Sequence, residues 1–223
     1  MPGIMRPAVL GGTIILVALS VSVAWGQPRE LPARIVTLGG PAQLYKKDTP
    51  TWTSAALRDE VGPGDSVRTQ SGGRVTLKTG SGQALRLGSR SQIALPPGAD
   101  GAPPRVRFDY GWMWVAVMPG GESTQVEVRA GPAVIIPREG GVGIRRNPDG
   151  SVLIQVHHGT AMCAGPDHQW QQTVSGQQQL FVPASGAPGP PVHLVVDPVE
   201  ATWVRWNADQ DFAGGYGGQK LTP

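Results

Sequence analysis

Between Gly62 and Leu95 the chain reads GPGDSVRTQSGGRVTLKTGSGQALRLGSRSQIAL, and its apolar residues come in short bursts at every second position. Val75 and Leu77, Leu85 and Leu87, and Ile93 and Leu95 are each separated by one residue, which points both side chains of a pair to one face of a strand. Gly72-Gly73 and Gly80-Ser81-Gly82 punctuate the bursts as turn glycines. The bursts recur about every 8 to 10 residues, the spacing of an all-β sandwich, barrel or solenoid. The same alternation continues through VRFDYGWMWVAVM, TQVEVRAGPAVIIP, GVGIRR and GSVLIQVHHGTAMC. Asn147-Pro148-Asp149-Gly150 is a turn signal, so the runs on either side of it are expected to pair as a hairpin.

Around this centre, RIVTLGGPAQLYKK predicts two strands about the Gly39-Gly40 turn, with Trp52 and Leu57 available to cover a sheet end. QWQQTVSGQQQLFVP predicts a turn and a strand pair centred on Gly176. Pro96 to Pro104 is a proline-rich break, and Ala184 to Pro191 reads as a flexible spacer. ATWVRWNADQDF can form one helical turn or more, with Trp203 and Trp206 on one side docking the tail, and GGYGGQKLTP is expected to be mobile. The fold class is therefore all-β: many short, mostly antiparallel strands in a sandwich- or solenoid-like domain with a short, partly helical C-terminal tail.

Composition agrees with strands and tight turns rather than a helical bundle: of 223 residues, 32 are Gly and 22 are Pro, and 39% are hydrophobic. The N-terminus changes the picture. Arg6 precedes an uncharged run from Pro7 to Gly26 that ends Ala24-Trp25-Gly26, small residues placed as signal peptidase requires. The run is also long enough to be an uncleaved anchor. The organisation expected is 1–26 signal peptide or N-terminal anchor, 27–33 linker, 34–183 β domain and 184–223 spacer and tail. Cys163 is the only cysteine, so no internal disulfide supports the domain, and its apolar strand marks it as a buried, inert thiol. Basic and acidic residues are interspersed, with no stripe for nucleic acid.

Candidate chemistry is sparse. His157 and His158 are neighbours on a strand, so their side chains are expected on opposite faces, unable to share a metal without a bend. Asp65, after Pro63-Gly64, is expected to accept backbone N–H groups in a turn rather than to act as a catalytic carboxylate. No nucleophile elbow or phosphate-cradling loop is present, and no catalytic residue, metal or cofactor is expected. Tyr110, Trp112 and Trp114 form the candidate interaction surface, an aromatic row for a sugar or a partner, unless they are core.

The residues Gly64, Asp65, Val67, Thr69, Leu77, Gly82, Leu85, Leu87, Gly88, Ser91, Ile93 and Leu95 follow a pattern that resembles the FecR domain. RVRFDYGWMWVAV and VEVRAGPAVIIPREGGVGIRRNPDGSVLIQVHHGTAMC resemble its second half, Gly176-Gln177 and Leu180 resemble its last-strand approach, and the resemblance spans roughly Ile35 to Val182. One departure is Pro137-Arg138-Glu139-Gly140-Gly141, where the family tends to show Arg-Gly-Thr, so contacts made through that loop are not carried over. The resemblance implies an all-β extracytoplasmic module of the kind that relays a receptor signal to a sigma factor. Only six residues precede Pro7, so a free-standing version is expected, non-enzymatic and periplasmic or secreted, or inner-membrane anchored if the leader stays. Its expected partners are an envelope protein or a cell-wall component, with no nucleic acid. A carbohydrate- or peptidoglycan-binding module using the aromatic row is the alternative.

Overall fold

The computed structural model describes residues 33–97, 105–120 and 126–218. The leader, nearly all of the linker, most of the Pro96–Pro104 break and the last five residues of the tail lie outside them. Fifteen strands form one open, continuously hydrogen-bonded sheet, followed by a single helix among the described residues. The strands are β1 (Ala33–Gly39), β2 (Ala42–Lys46), β3 (Thr49–Ser54), β4 (Glu60–Val61), β5 (Ser66–Thr69), β6 (Arg74–Thr79), β7 (Ala84–Leu87) and β8 (Gln92–Ala94). They continue as β9 (Arg105–Val117), β10 (Glu127–Ala130), β11 (Ala133–Arg146), β12 (Val152–Ala164), β13 (Gln171–Ser175), β14 (Gln178–Val182) and β15 (Val192–His193); the helix α1 is Pro198–Gly214.

Three long strands fold the sheet over on itself. The first half of β9 pairs with β8 and β10, whereas its second half pairs with β7 and with the end of β11. β12 likewise carries β14 along Val152–Val156 and β13 along Thr160–Ala164. Both halves contribute to one apolar core, in which Val67, Ile93 and Phe108 meet Leu77, Leu85, Met113 and Ile154. The expected hairpin at Asn147–Gly150 is present, joining β11 to β12 from Arg146↔Val152.

The bends require glycine. Gly140 and Gly159 are directly paired across β11 and β12, both have positive φ, and a Cβ on either would run into the opposing backbone carbonyl. The Pro137–Gly141 segment is thus not a loop but the corner of β11. The two strands about Gly39-Gly40 exist but do not pair with each other; β1 joins β6 and β4, while β2 joins β5 and β3. The strands flanking Gly176 behave alike, since each pairs with a different half of β12. Alternation identifies a strand and its inward face, but partner choice is decided by where the long strands bend.

Helix α1 lies across the outward face of β7, the second half of β9, β11 and β12. It starts at Asp197, whose carboxylate accepts from the Val199 N–H at 2.9 Å, with Pro198 in the first turn. It ends at Gly215 in the left-handed region, where the Tyr216 N–H reaches the Asp211 carbonyl at 2.9 Å. Directly beyond, Tyr216 is buried and its hydroxyl donates to the Gly82 carbonyl at 2.9 Å. Among the described residues no helix is long and apolar enough to cross a membrane.

Candidate functional site

Along the second half of β9 the inner positions are Met113, Val115 and Val117, and the outer ones are Trp112, Trp114 and Ala116. Tyr110 does not continue the outer row, because Gly111 has φ +96° and the pairing with β8 shifts between Gln92 and Ile93. The alternation changes phase there, so the three aromatics separate. Tyr110 is 43% exposed, Trp112 is half-buried, and Trp114 is 0% exposed beneath α1. Its burial removes Trp114 from the candidate interaction surface and gives it a structural task.

That task is to meet Asp211. The Trp114 Nε1–H donates to Asp211 Oδ2 at 2.9 Å, the Arg86 guanidinium reaches Oδ1 at 2.5 Å, and His158 Nε2 lies 3.2 Å from Oδ2. Asp211 and Arg86 are both buried, so this is a desolvated ion pair with its remaining lone pairs used. Gly141 makes room for it, because a Cβ there would sit 2.5 Å from Asp211 Oδ2 and 2.7 Å from the Trp114 ring. One turn earlier on the same helix face Asn207 is buried, and at the start of the helix Glu200 accepts from Arg145 and, at 3.1 Å, from Gln155. Burial raises the Glu200 carboxyl above its ordinary range; the Gln155 and Arg145 contacts pull the other way without cancelling it.

The two histidines face the same side, contrary to the expectation from simple alternation. A bulge between Gly141 and Val142 leaves His157 as the extra residue of β12. His157 stacks on Trp114 with centroids 4.6 Å apart, and burial first, then the His158 charge, push its pKa down to about 4 against the pull of Asp211. Among the described residues no group of three or more His, Cys, Asp or Glu is arranged to hold a metal. Asp65 sits as the turn reading requires, accepting from the Gly62 N–H at 2.8 Å, the Lys47 N–H at 3.0 Å and Lys46 Nζ at 2.8 Å. Burial opposes its charge, yet these bonds together hold the carboxyl below its ordinary range. Cys163 is buried in the core and its thiol is pushed up to about 12 by burial.

The two aromatics that stay accessible, Tyr110 and Trp112, lie at the rim of the sandwich beside the β11–β12 turn. A groove of about 730 Å³ is lined there by Tyr110, Trp112, Arg90, Arg145, Arg146 and Asn147, together with Ser71 and Ser89. Arg145 lies 5.2 Å over the Trp112 ring, and Trp112 also forms part of a smaller cleft with Arg74, Val199 and Trp203. Trp203 stacks on Trp206 at 5.4 Å, as the three-residue spacing suggested. Sequence reasoning found two of the aromatics and missed the arginines. Arg90 is in a turn and Arg145 and Arg146 end a strand, so only the folded sheet brings them together.

Residues 65–162 match the family described as FecR protein, which bears out the resemblance over a shorter span than Ile35 to Val182. Two crystal structures, at 2.50 and 1.65 Å resolution, of a "putative anti-sigma factor" from Parabacteroides distasonis ATCC 8503 are similar at 15% and 14% identity, each with a TM-score of 0.49. The similarity covers 64% of this chain and 64% of each of those. No curated protein matches. All ten groove residues fall inside the matched segment, whereas α1 lies beyond it.

Proposed function

We propose that this chain, which carries a FecR domain over residues 65–162, is a non-enzymatic interaction module of the cell envelope that serves signal sensing or regulation. The family match is the observation that carries the reading. The site chemistry supports it: the buried carboxylates Asp211 and Glu200 are engaged by Arg86, Arg145, Trp114 and Gln155, which makes them structural ties rather than free acids or bases. The exposed chemistry is an arginine- and aromatic-lined rim, the composition that protein contact surfaces favour. The leader Met1–Gly26 supports an extracytoplasmic position, periplasmic or secreted, or anchored in the inner membrane when uncleaved.

Cross-linking the full chain within the envelope of its own cells, followed by mass spectrometry, tests this. The expected result is a reproducible protein adduct on peptides from residues 65–162. Adducts to glycan alone, or none, would overturn the signalling reading and favour a wall-binding module instead.

A further inference from the structure

We propose that the rim groove is a binding site for carboxylate-bearing saccharides, a ligand class that the regulatory reading does not require. Its lining carries three guanidinium groups, from Arg90, Arg145 and Arg146, and among the described residues no carboxylate. Of the three, only Arg145 has an acidic partner among the described residues, Glu200, which lines the neighbouring smaller cleft. Arg146 spends one N–H on the Phe108 carbonyl at 3.2 Å, and Arg90 makes one long contact, 3.5 Å, to Ser71 Oγ. Each guanidinium has five donors in a planar fork, so Arg90 and Arg146 retain the capacity for bidentate contact with a carboxylate.

The architecture explains how neighbouring arginines reach one groove. Arg145 follows the outer face of β11, while Arg146 falls on the inner parity at the open end of the sandwich, opposite Gly111. The groove wraps that rim, where Gly111 lets β9 close against Arg90 and Ser91: a Cβ there would strike Ser91 and the Arg90 carbonyl. Beside the guanidinium groups stand the rings of Tyr110 and Trp112, the Ser71 and Ser89 hydroxyls and the Asn147 side chain.

These features select among ligands. A purely acidic peptide such as polyglutamate would satisfy the arginines but has no ring to lay against the aromatics. A neutral glycan would use the rings and hydroxyls but leave two unpaired cations facing it. A sugar acid uses both sets, with its carboxylate on a guanidinium fork and its apolar ring face against Trp112 or Tyr110. A volume of about 730 Å³ takes a ligand of a few sugar rings.

The probe is tetragalacturonate, titrated calorimetrically into the full chain at roughly 0.15 M salt, with maltotetraose and hexaglutamate as the neutral and the peptide comparison. Saturable binding of tetragalacturonate, none of maltotetraose and much weaker binding of hexaglutamate are expected. Arg90→Gln and Arg146→Gln should each weaken binding about tenfold, the loss of one charge-assisted contact, with the melting temperature unchanged in Arg90→Gln and slightly lowered in Arg146→Gln, which gives up the bond to the Phe108 carbonyl. On the unaltered chain, hydroxyl-radical footprinting should show Tyr110 protected by tetragalacturonate. Equal binding of hexaglutamate would reassign the groove to an acidic protein segment and overturn the proposal, as would no saccharide binding, or unprotected Tyr110. A protein adduct in the envelope without saccharide binding would remove this site and leave the signalling reading intact.

Discussion

Where α1 covers them, β7, β9, β11 and β12 bury both of their faces, and the two faces are built on different principles. Inward, Leu85, Met113, Val115, Ile144 and Ile154 meet the other layer with apolar surface alone. Outward, Arg86, Trp114, Gly141 and Gln155 meet α1 through Asp211 and Glu200, beside a small apolar cluster of Ala84, the Trp114 ring, Ala116, Val204 and Tyr216 with Val196 and Trp203 at its edge. Apolar burial is non-directional and scales with area, so the inner face tolerates exchange among residues of similar volume. A desolvated ion pair gains little net stability, but losing one partner strands the other. The outer face therefore fixes where the helix sits more than it stabilises the domain.

The largest test of that contrast is Phe108→Ala, which empties a fully buried ring from the shared core. About 3–5 kcal/mol of global stability should be lost in chemical denaturation, with strands and helix unfolding together. A loss confined to α1 would contradict the division. Asp211→Ala comes next. It leaves the Arg86 guanidinium, 3% exposed, without its carboxylate, for which about 3 kcal/mol is expected. Undocking offers an escape, so amide-exchange protection should fall in α1 while Met113 and Ile144 keep theirs. Replacing both partners, as Arg86→Met with Asp211→Leu, should recover the part of the loss due to the stranded guanidinium and leave about 1–3 kcal/mol, because the buried Trp114 Nε1–H still lacks its acceptor. If the double variant is as weak as Asp211→Ala, the pair contributes more than position.

The same contrast explains what could be read from the sequence. The inner face was legible because its signal is local: Val75-Thr76-Leu77 or Leu85-Arg86-Leu87 declares a strand without reference to anything else. The FecR pattern was legible for a similar reason, as its glycines mark corners of the chain. The outer face was not. On α1 the buried stripe is Glu200, Val204, Asn207 and Asp211, at helical spacing but mostly polar, while Val199 and Phe212 point to solvent. Hydrophobic periodicity looks for the opposite arrangement. Arg86 reads as the exposed residue of its strand and is buried only because a segment about 125 residues later covers it. The paired histidines were misplaced by one bulged residue, and the groove arginines come from a turn and a strand end.

Acid should sharpen the comparison by loosening one face and sparing the other. His157 is held neutral under α1 with a pKa of about 4, against about 6.5 when the helix is undocked and the ring is in water. Between those values the open state binds the proton and the docked state does not, so docking is at full strength above about pH 6.5 and weakens as pH falls toward 4. The slope is at most about 1.4 kcal/mol per pH unit. His158 and Asp211, the latter paired with Arg86, are the charged groups that act on the ring, and Glu200, whose pKa is raised, opposes the trend because its protonation favours the docked state as pH falls. Amide protection of Val204 and Asn207 should therefore decline across that window while that of Val115 and Ile154 does not. His157→Phe keeps a ring against Trp114 and removes the proton, so it should flatten the decline; an unchanged slope in that variant would assign the acid sensitivity to another group.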